Sequence, residues 1–320
     1  MGKIGEVQSI ALLTSHVPQA PLPYGVGDDC ALIENNNSHH VVTMDSMVEG
    51  IHFDEGWKPS DVGWKLIASN VSDIASMGRQ PSYCTFSISL PSNKINSWLP
   101  LFRKGFVDAL KYWGIDLVGG DMTGSKHDIF LSLTLHSTTE IVCTDNPKAI
   151  FRCGAKVGDE IYVTGNVGNA AAFYFRGTSH YIRPTPPVDF AVELRKQNLV
   201  SSMMDISDGI SQDIEVLCER SDVFADIFEE MLPYDSSKWE HLSTQKPPNA
   251  WLTSFGEDFE LLFTSSRDNE QYLQQISQKH GVKLTRIGVI KEKRKEEQRI
   301  QLYRHGTKIP FPQALFQHFS

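Results

Sequence analysis

The chain has 320 residues, long for one core, and its 40% hydrophobic and 22% charged content is ordinary for a globular protein. A formal charge of −9 argues against a protein that coats nucleic acid, which needs a basic face, while anionic substrates stay open where bound cations invert the local field. The five cysteines (Cys30, Cys84, Cys143, Cys153, Cys218) form no C-x-x-C pair, and no stretch nears the roughly 18 apolar residues of a membrane span, so a reduced, cytoplasmic protein is expected.

The opening MGKIGEVQSIALLTSH is too interrupted to read as a secretory signal. Strands are predicted at 41–45 (VVTMD), 83–90 (YCTFSISL) and 129–135 (IFLSLTL) from their alternating or β-branched pattern. Residues 61–77 read as a helix capped by Ser60. Its apolar stripe is Ile67, Val71 and Ile74, with Asn70 and Asp73 on one flank. A second helix is predicted over 97–113, stopping before Gly114. Turn formers at 144–158 set the domain boundary, giving an N-terminal domain at 1–147 and a C-terminal domain at 148–320.

The second half opens with a strand, IYVTG, and a glycine-punctuated turn into an alanine-rich helix (GNVGNAAAFYF). Residues 233–250 read as a long surface connection. Two strand-like pieces, RIGVI and IQLYR, flank KEKRKEEQR at 291–299, which reads as a solvated hairpin tip. The fold class is α/β (α+β) with two domains.

Five segments place carboxylates beside small residues at strand ends: GVGDDCALI (Asp28, Asp29), TMDSMVEGIHF (Asp45), LVGGDMT (Asp121), MMDISDGI (Asp205, Asp208) and FGEDFELLF (Glu257, Asp258). Asp73 makes a sixth place. Each alone reads as an ordinary turn. Together they suggest a shared site, because repulsion between doubled acids is most easily offset by cations, and Mg²⁺ bridges carboxylates to substrate phosphates. The P-loop, protein-kinase, dinucleotide, H-E-x-x-H and G-x-S-x-G patterns are absent.

These segments, with NVSDIASMG and FRCGAKVGDEIYVTG, stand in the order seen in the thiamine-monophosphate kinase family, which the chain resembles from about residue 4 to its end. The resemblance implies ATP-dependent phosphorylation of thiamine monophosphate to thiamine diphosphate, with several Mg²⁺ ions and ATP as co-substrate. It implies a homodimer whose N-terminal sheets pair into a β-barrel, and a C-terminal α/β domain. Asp28, Asp45, Asp73, Asp121, Asp205 and Asp208 resemble its metal ligands, assisted by Thr43 and the backbone of Met44. Gly120, Asp121, Arg152 and Ser207 resemble nucleotide contacts, and His52, Glu257 and Phe316 contacts to the thiamine phosphate.

Three residues depart from the family pattern: Met44 where Ser or Thr is usual, Phe255 in place of a glycine, and Leu315 where Gly is common. Read without the family, His52 fits a core histidine equally well, Arg152 fits a linker ion pair and Phe316 fits ordinary core. No side-chain general base is expected, because a phosphate monoester is already ionised near neutral pH. The alternatives are a sister ATP-dependent synthetase of the superfamily that includes aminoimidazole ribonucleotide synthetase and selenophosphate synthetase, and a catalytically silent nucleotide-binding regulator.

Overall fold

Alternation of β-branched or leucine residues with small polar ones gives the first half of the chain a sheet with one dry face. In the computed structural model, which describes residues 6–15, 18, 26–35, 38–141, 148–176, 183–239, 253–294 and 298–312, a short helix α1 (Glu6–Thr14) precedes this sheet. Its strands are β1 (Ala31–Asn35), β2 (Ser38–Val48), β3 (Pro81–Leu90), β4 (Asp116–Gly124), β5 (Phe130–Ser137) and β6 (Glu140–Ile141). The order is β1-β2-β5-β3-β4, with β6 on β2; only β3 and β4 run parallel. Leu131, Leu133 and Leu135 are buried toward the helices, and the residues between them face away.

Helices α2 (Pro59–Ser76) and α3 (Leu99–Trp113) cover the dry face. The start of α2 differs from expectation. Lys58 is its N-cap, without a side-chain bond, and Pro59 opens the first turn. Proline needs no partner for an N–H it lacks, and its fixed φ suits the first helical position, so the Ser60 cap is not needed. α3 ends where expected, on Gly114 at φ 64. The two helices meet backbone to backbone: a Cβ on Gly105 would lie 1.6 Å from the Ser60 carbonyl oxygen, and one on Gly63 would lie 2.6 Å from that of Phe102.

The second sheet contains β7 (Glu160–Thr164), β8 (Ser202–Asp205), β9 (Phe224–Phe228), β10 (Leu261–Ser265), β11 (Leu284–Lys291), β12 (Ile300–Arg304) and β13 (Thr307–Ile309). Its order is β13-β12-β9-β11-β7-β10-β8. Helices α4 (Asn169–Arg176), α5 (Val188–Lys196), α6 (Ile210–Ser221) and α7 (Glu270–His280) accompany it. Side chains from one face, with α6 and α4, form a separate core around Ile161, Val163, Met204 and Ile227. Those from the other face, Tyr162, Met203 and Phe263, join α5, α7 and the core of the first sheet in one continuous cluster. Helix α2 therefore belongs to both halves of the molecule.

Two expectations are corrected. β11 and β12 are not a hairpin, because β9 lies between them, antiparallel to β11 and parallel to β12. Basic residues of the connecting run pair with acids before and within β9: Lys293 and Arg299 with Asp222, and Arg294 with Asp226. The run 233–250 is not purely a surface connection either, since Trp239 is 1% exposed inside the second core; residues 240–250 lie outside the described residues. The first sheet is open in the single chain, running from β1 to β4 without closing into a barrel.

Candidate active site

Helix α2 carries Lys65, Ser69, Asn70, Ser72 and Ser76 at positions that its double packing buries, and Asp73 at a half-buried one, although such residues ordinarily face water. Each needs a partner; Ser69, Ser76 and the Asn70 amide bond to carbonyls of α2 itself, and others reach both sheets. Ser72 donates to Asp205 Oδ2 at 2.7 Å, and Thr43 donates to Asp73 Oδ2 at 2.5 Å. The Asp45 backbone N–H donates to Asn70 Oδ1 at 3.2 Å. The polar flank of α2 thus meets β2 on one side and the end of β8 on the other.

Carboxylate oxygens of Asp29, Asp73 and Asp205 lie within 4.8 Å of one another. Arg152 donates from Nε at 3.1 Å and from Nη2 at 2.5 Å to Asp29 Oδ1. Asp28 accepts the backbone N–H of Arg152 at 3.0 Å and that of Asp29 at 3.0 Å. Burial pushes the Asp28 carboxyl up to about 7, and the charge of Asp29 adds to it. Asp205 is raised to about 7 by burial and by Asp29, against the pull of the Ser72 hydroxyl. Burial raises Asp73 well above the usual carboxylate range, with Asp45 and Asp205 adding to it, and burial raises Asp45 as well. Negative charge is crowded here beyond what the surrounding protein balances.

Asp29 Oδ2 and Asp205 Oδ1 are buried with no hydrogen-bond partner among the described residues. A set of carboxylate oxygens with open lone pairs suits a hard divalent cation such as Mg²⁺, which takes oxygen ligands and would relieve the repulsion.

Beside this cluster a second group crosses the same junction. Lys65 Nζ donates to Glu257 Oε1 at 2.5 Å and to the His52 carbonyl at 3.0 Å, and lies 5.1 Å from the Trp57 ring centroid. Glu257 sits at φ 66 and Phe259 at φ 52, left-handed conformations costing roughly 1 kcal/mol or more each for non-glycine residues. Their N–H groups donate to the carbonyls of Ser207 and Ile206 at 2.9 and 3.0 Å, locking this loop onto the one after β8. Gly256 is required there, since a Cβ would lie 1.9 Å from the Ser207 oxygen.

The models of the AIR synthase related protein match at residues 27–138 (N-terminal domain) and 156–301 (C-terminal domain). The thiamine-monophosphate kinase of Buchnera aphidicola subsp. Acyrthosiphon pisum is 33% identical over 312 residues, covering 92% of each chain. This chain belongs to the thiamine-monophosphate kinase family. The Escherichia coli K12 member is 32% identical over 304 residues, covering 89% of this chain and 90% of its own. A solved structure of AaThiL complexed with AMPPCP and TMP matches 99% of this chain and 97% of its own, with a TM-score of 0.81 and 27% identity.

Most of the residues that correspond to the family's motifs fall into three places. Asp28, Asp45, Asp73, Asp205 and Thr43 gather around the cluster, with Arg152 bonded into it. Ser207 and the exposed Asp208 follow on the loop after β8. The Met44 side chain, 64% exposed, lies on the opposite face of β2, leaving only its main chain toward α2. His52 and Glu257 meet at Lys65.

Gly120 and Asp121 are elsewhere in the single chain. Asp45 pairs with Leu133, Leu133 with Phe86 and Phe86 with Gly120, three strand spacings or about 14 Å along the sheet. Asp121 is level with Ser87, Ser132 and Ser46, on the face turned away from α2. Phe316 lies outside the described residues.

The sequence reading missed two residues. Asp29 supplies a carboxylate to the triad, and the doubled acid in GVGDDC was its signal. Lys65, 2% exposed, had no signal beyond a lone lysine in an amphipathic helix. Asp258 is a structural acid, accepting the N–H groups of Gly168 and Ala170 at 2.6 and 3.0 Å to cap α4. The N-terminus of α4 therefore meets a carboxylate of the chain itself.

Proposed function

We propose that the chain transfers the γ-phosphoryl group of ATP directly to thiamine monophosphate, giving thiamine diphosphate and ADP. The observation that carries this reading is the Asp29–Asp73–Asp205 cluster standing beside the His52–Lys65–Glu257 group at one domain junction, in a chain of this family. Asp29, Asp73 and Asp205 would hold Mg²⁺, with Asp28, Asp45 and Asp208 at hand for further ions. Bound there, Mg²⁺ supplies charge neutralisation for the triphosphate.

The protein's own groups act by placement. Arg152 offers the nucleotide phosphates a planar donor fork already oriented by Asp29. His52 Nδ1 accepts the Val48 N–H at 3.0 Å, which fixes the ring and leaves Nε2 as the protonated nitrogen of the neutral form. The acceptor phosphate, with a second pKa of about 6, is its own nucleophile, so no general base is needed.

We further propose a homodimer. The face of the first sheet turned from α2 exposes Ile33, Met44 and Phe130, and β4 is exposed along its whole length as an unpaired edge. A second copy laid on this face would close two open sheets into a barrel and bring Gly120 and Asp121 of one chain toward the site of the other. No described helix is long and apolar enough to cross a membrane, and the described cysteines are free thiols, which favours the cytoplasm as its place of work.

The test is incubation of the full chain with ATP, Mg²⁺ and thiamine monophosphate. Equal yields of thiamine diphosphate and ADP are expected. ATP consumption without thiamine diphosphate, or a covalent phosphoenzyme trapped on the pathway, would overturn the reading.

A further inference from the structure

A buried ammonium on a helix is costly unless its hydrogen bonds are made inside the protein. Lys65 is such a group, and its partners come from different parts of the molecule. Among them are the His52 carbonyl, in the turn after β2, and Glu257, in the loop before β10. The His52 turn is held by its own bonds, since the His52 N–H donates to the Val48 carbonyl at 3.0 Å. Glu257 is held in a left-handed conformation through its N–H to Ser207.

Without the ammonium, the Glu257 carboxylate would lose the partner that ties it to the His52 turn. Lys65 also lies close enough to Asp45 to lower that group's affinity for protons. One cation therefore stands between the acids and the two residues that correspond to the family's thiamine-phosphate contacts, while the face of Trp57 covers it.

We infer that Lys65 is a positioning residue for the acceptor, holding Glu257 and the His52 turn in one arrangement across the domain junction, so that acceptor binding depends on it while nucleotide binding does not. The inference rests on the phosphotransfer reading above, and the two are separable. Wild-type enzyme is assayed first, and absence of thiamine diphosphate sinks the parent reading.

With turnover established, Lys65→Met, Lys65→Arg, Glu257→Gln and the Lys65→Met/Glu257→Gln double variant are compared by kcat and by KM for each substrate. Lys65→Met is expected to raise KM for thiamine monophosphate about 30-fold, with KM for ATP within about twofold of wild type. Lys65→Arg is expected to recover most of that loss, because a guanidinium can reach the same two oxygens. The double variant is expected to be little worse than either single change, since the residues act as a pair. Equal increases in both KM values, unchanged KM for the acceptor, or full additivity would each overturn the inference. Should Lys65→Met fail to fold, the Lys65→Arg and Glu257→Gln values decide it: unchanged acceptor KM in Glu257→Gln rejects the pairing, and a selective rise supports it.

Discussion

The hydroxyl of Ser72, on α2, donates to Oδ2 of Asp205, at the end of β8, across the junction between the two sheets. The other oxygen of Asp205 has no hydrogen-bond partner among the described residues. One side of this carboxylate thus serves the fold, and the other is left open toward the proposed metal site.

Neutralising one acid of the triad should separate stability from activity. Asp73→Asn is expected to lower kcat by about 10³-fold or more, while raising the stability of the metal-free protein by about 1–3 kcal/mol through relief of like-charge repulsion. Thermal melts in EDTA, paired with steady-state rates in Mg²⁺, check both halves. Near wild-type kcat would remove Asp73 from the site.

Stability of the metal-free protein should fall as pH rises. Asp28 and Asp205 titrate at about 7 in the folded chain, against 3.8 for an unperturbed Asp. Between these values the folded state holds protons that the unfolded state has released, so deprotonation costs the folded state alone. The stability present near pH 4 is progressively lost up to about pH 7. Added Mg²⁺ should therefore raise Tm more at pH 8 than at pH 5.5, as differential scanning fluorimetry can show. Equal shifts at both pH values would contradict the assignment.

Complementation should reveal the place of Asp121. In a dimer whose sites each combine Asp205 of one chain with Asp121 of the other, Asp121→Asn and Asp205→Asn are each inactive alone. Random re-pairing of an equal mixture restores one intact site in the mixed dimers, about a quarter of wild-type activity. If mixtures stay inactive under conditions where subunits exchange, Asp121 does not act across the interface.

Gly105→Ala is expected to cost about 3 kcal/mol or more, because the new methyl would strike the Ser60 backbone rather than a movable side chain. Urea denaturation of the full chain measures it. A loss below about 0.5 kcal/mol would mean that α2 and α3 separate easily.

Much of this architecture is legible in the residues themselves. The apolar stripe of Ile67, Val71 and Ile74 announces α2, Gly114 marks the end of α3, and the alternation in IFLSLTL gives β5 its dry and wet faces. The acids were visible because turns seldom need doubled carboxylates. Their division of labour was not: Asp29 and Asp258 look alike beside small residues, yet one joins the triad and the other caps a helix. Local pattern is silent on long-range register, which is why RIGVI and IQLYR read as a hairpin although β9 intervenes. It is silent for the same reason on the distance of Asp121 from Asp45. Lys65 escaped notice because its burial depends on a partner loop 192 residues away.

Since α2 is shared between the cores of both sheets, the two halves cannot swing apart like the jaws of a clamp without tearing open continuous hydrophobic packing. If nucleotide binds at the proposed site, its entry and departure fall to segments at the rim, and turnover should answer to substitutions in those loops more than to any change in the angle between the sheets.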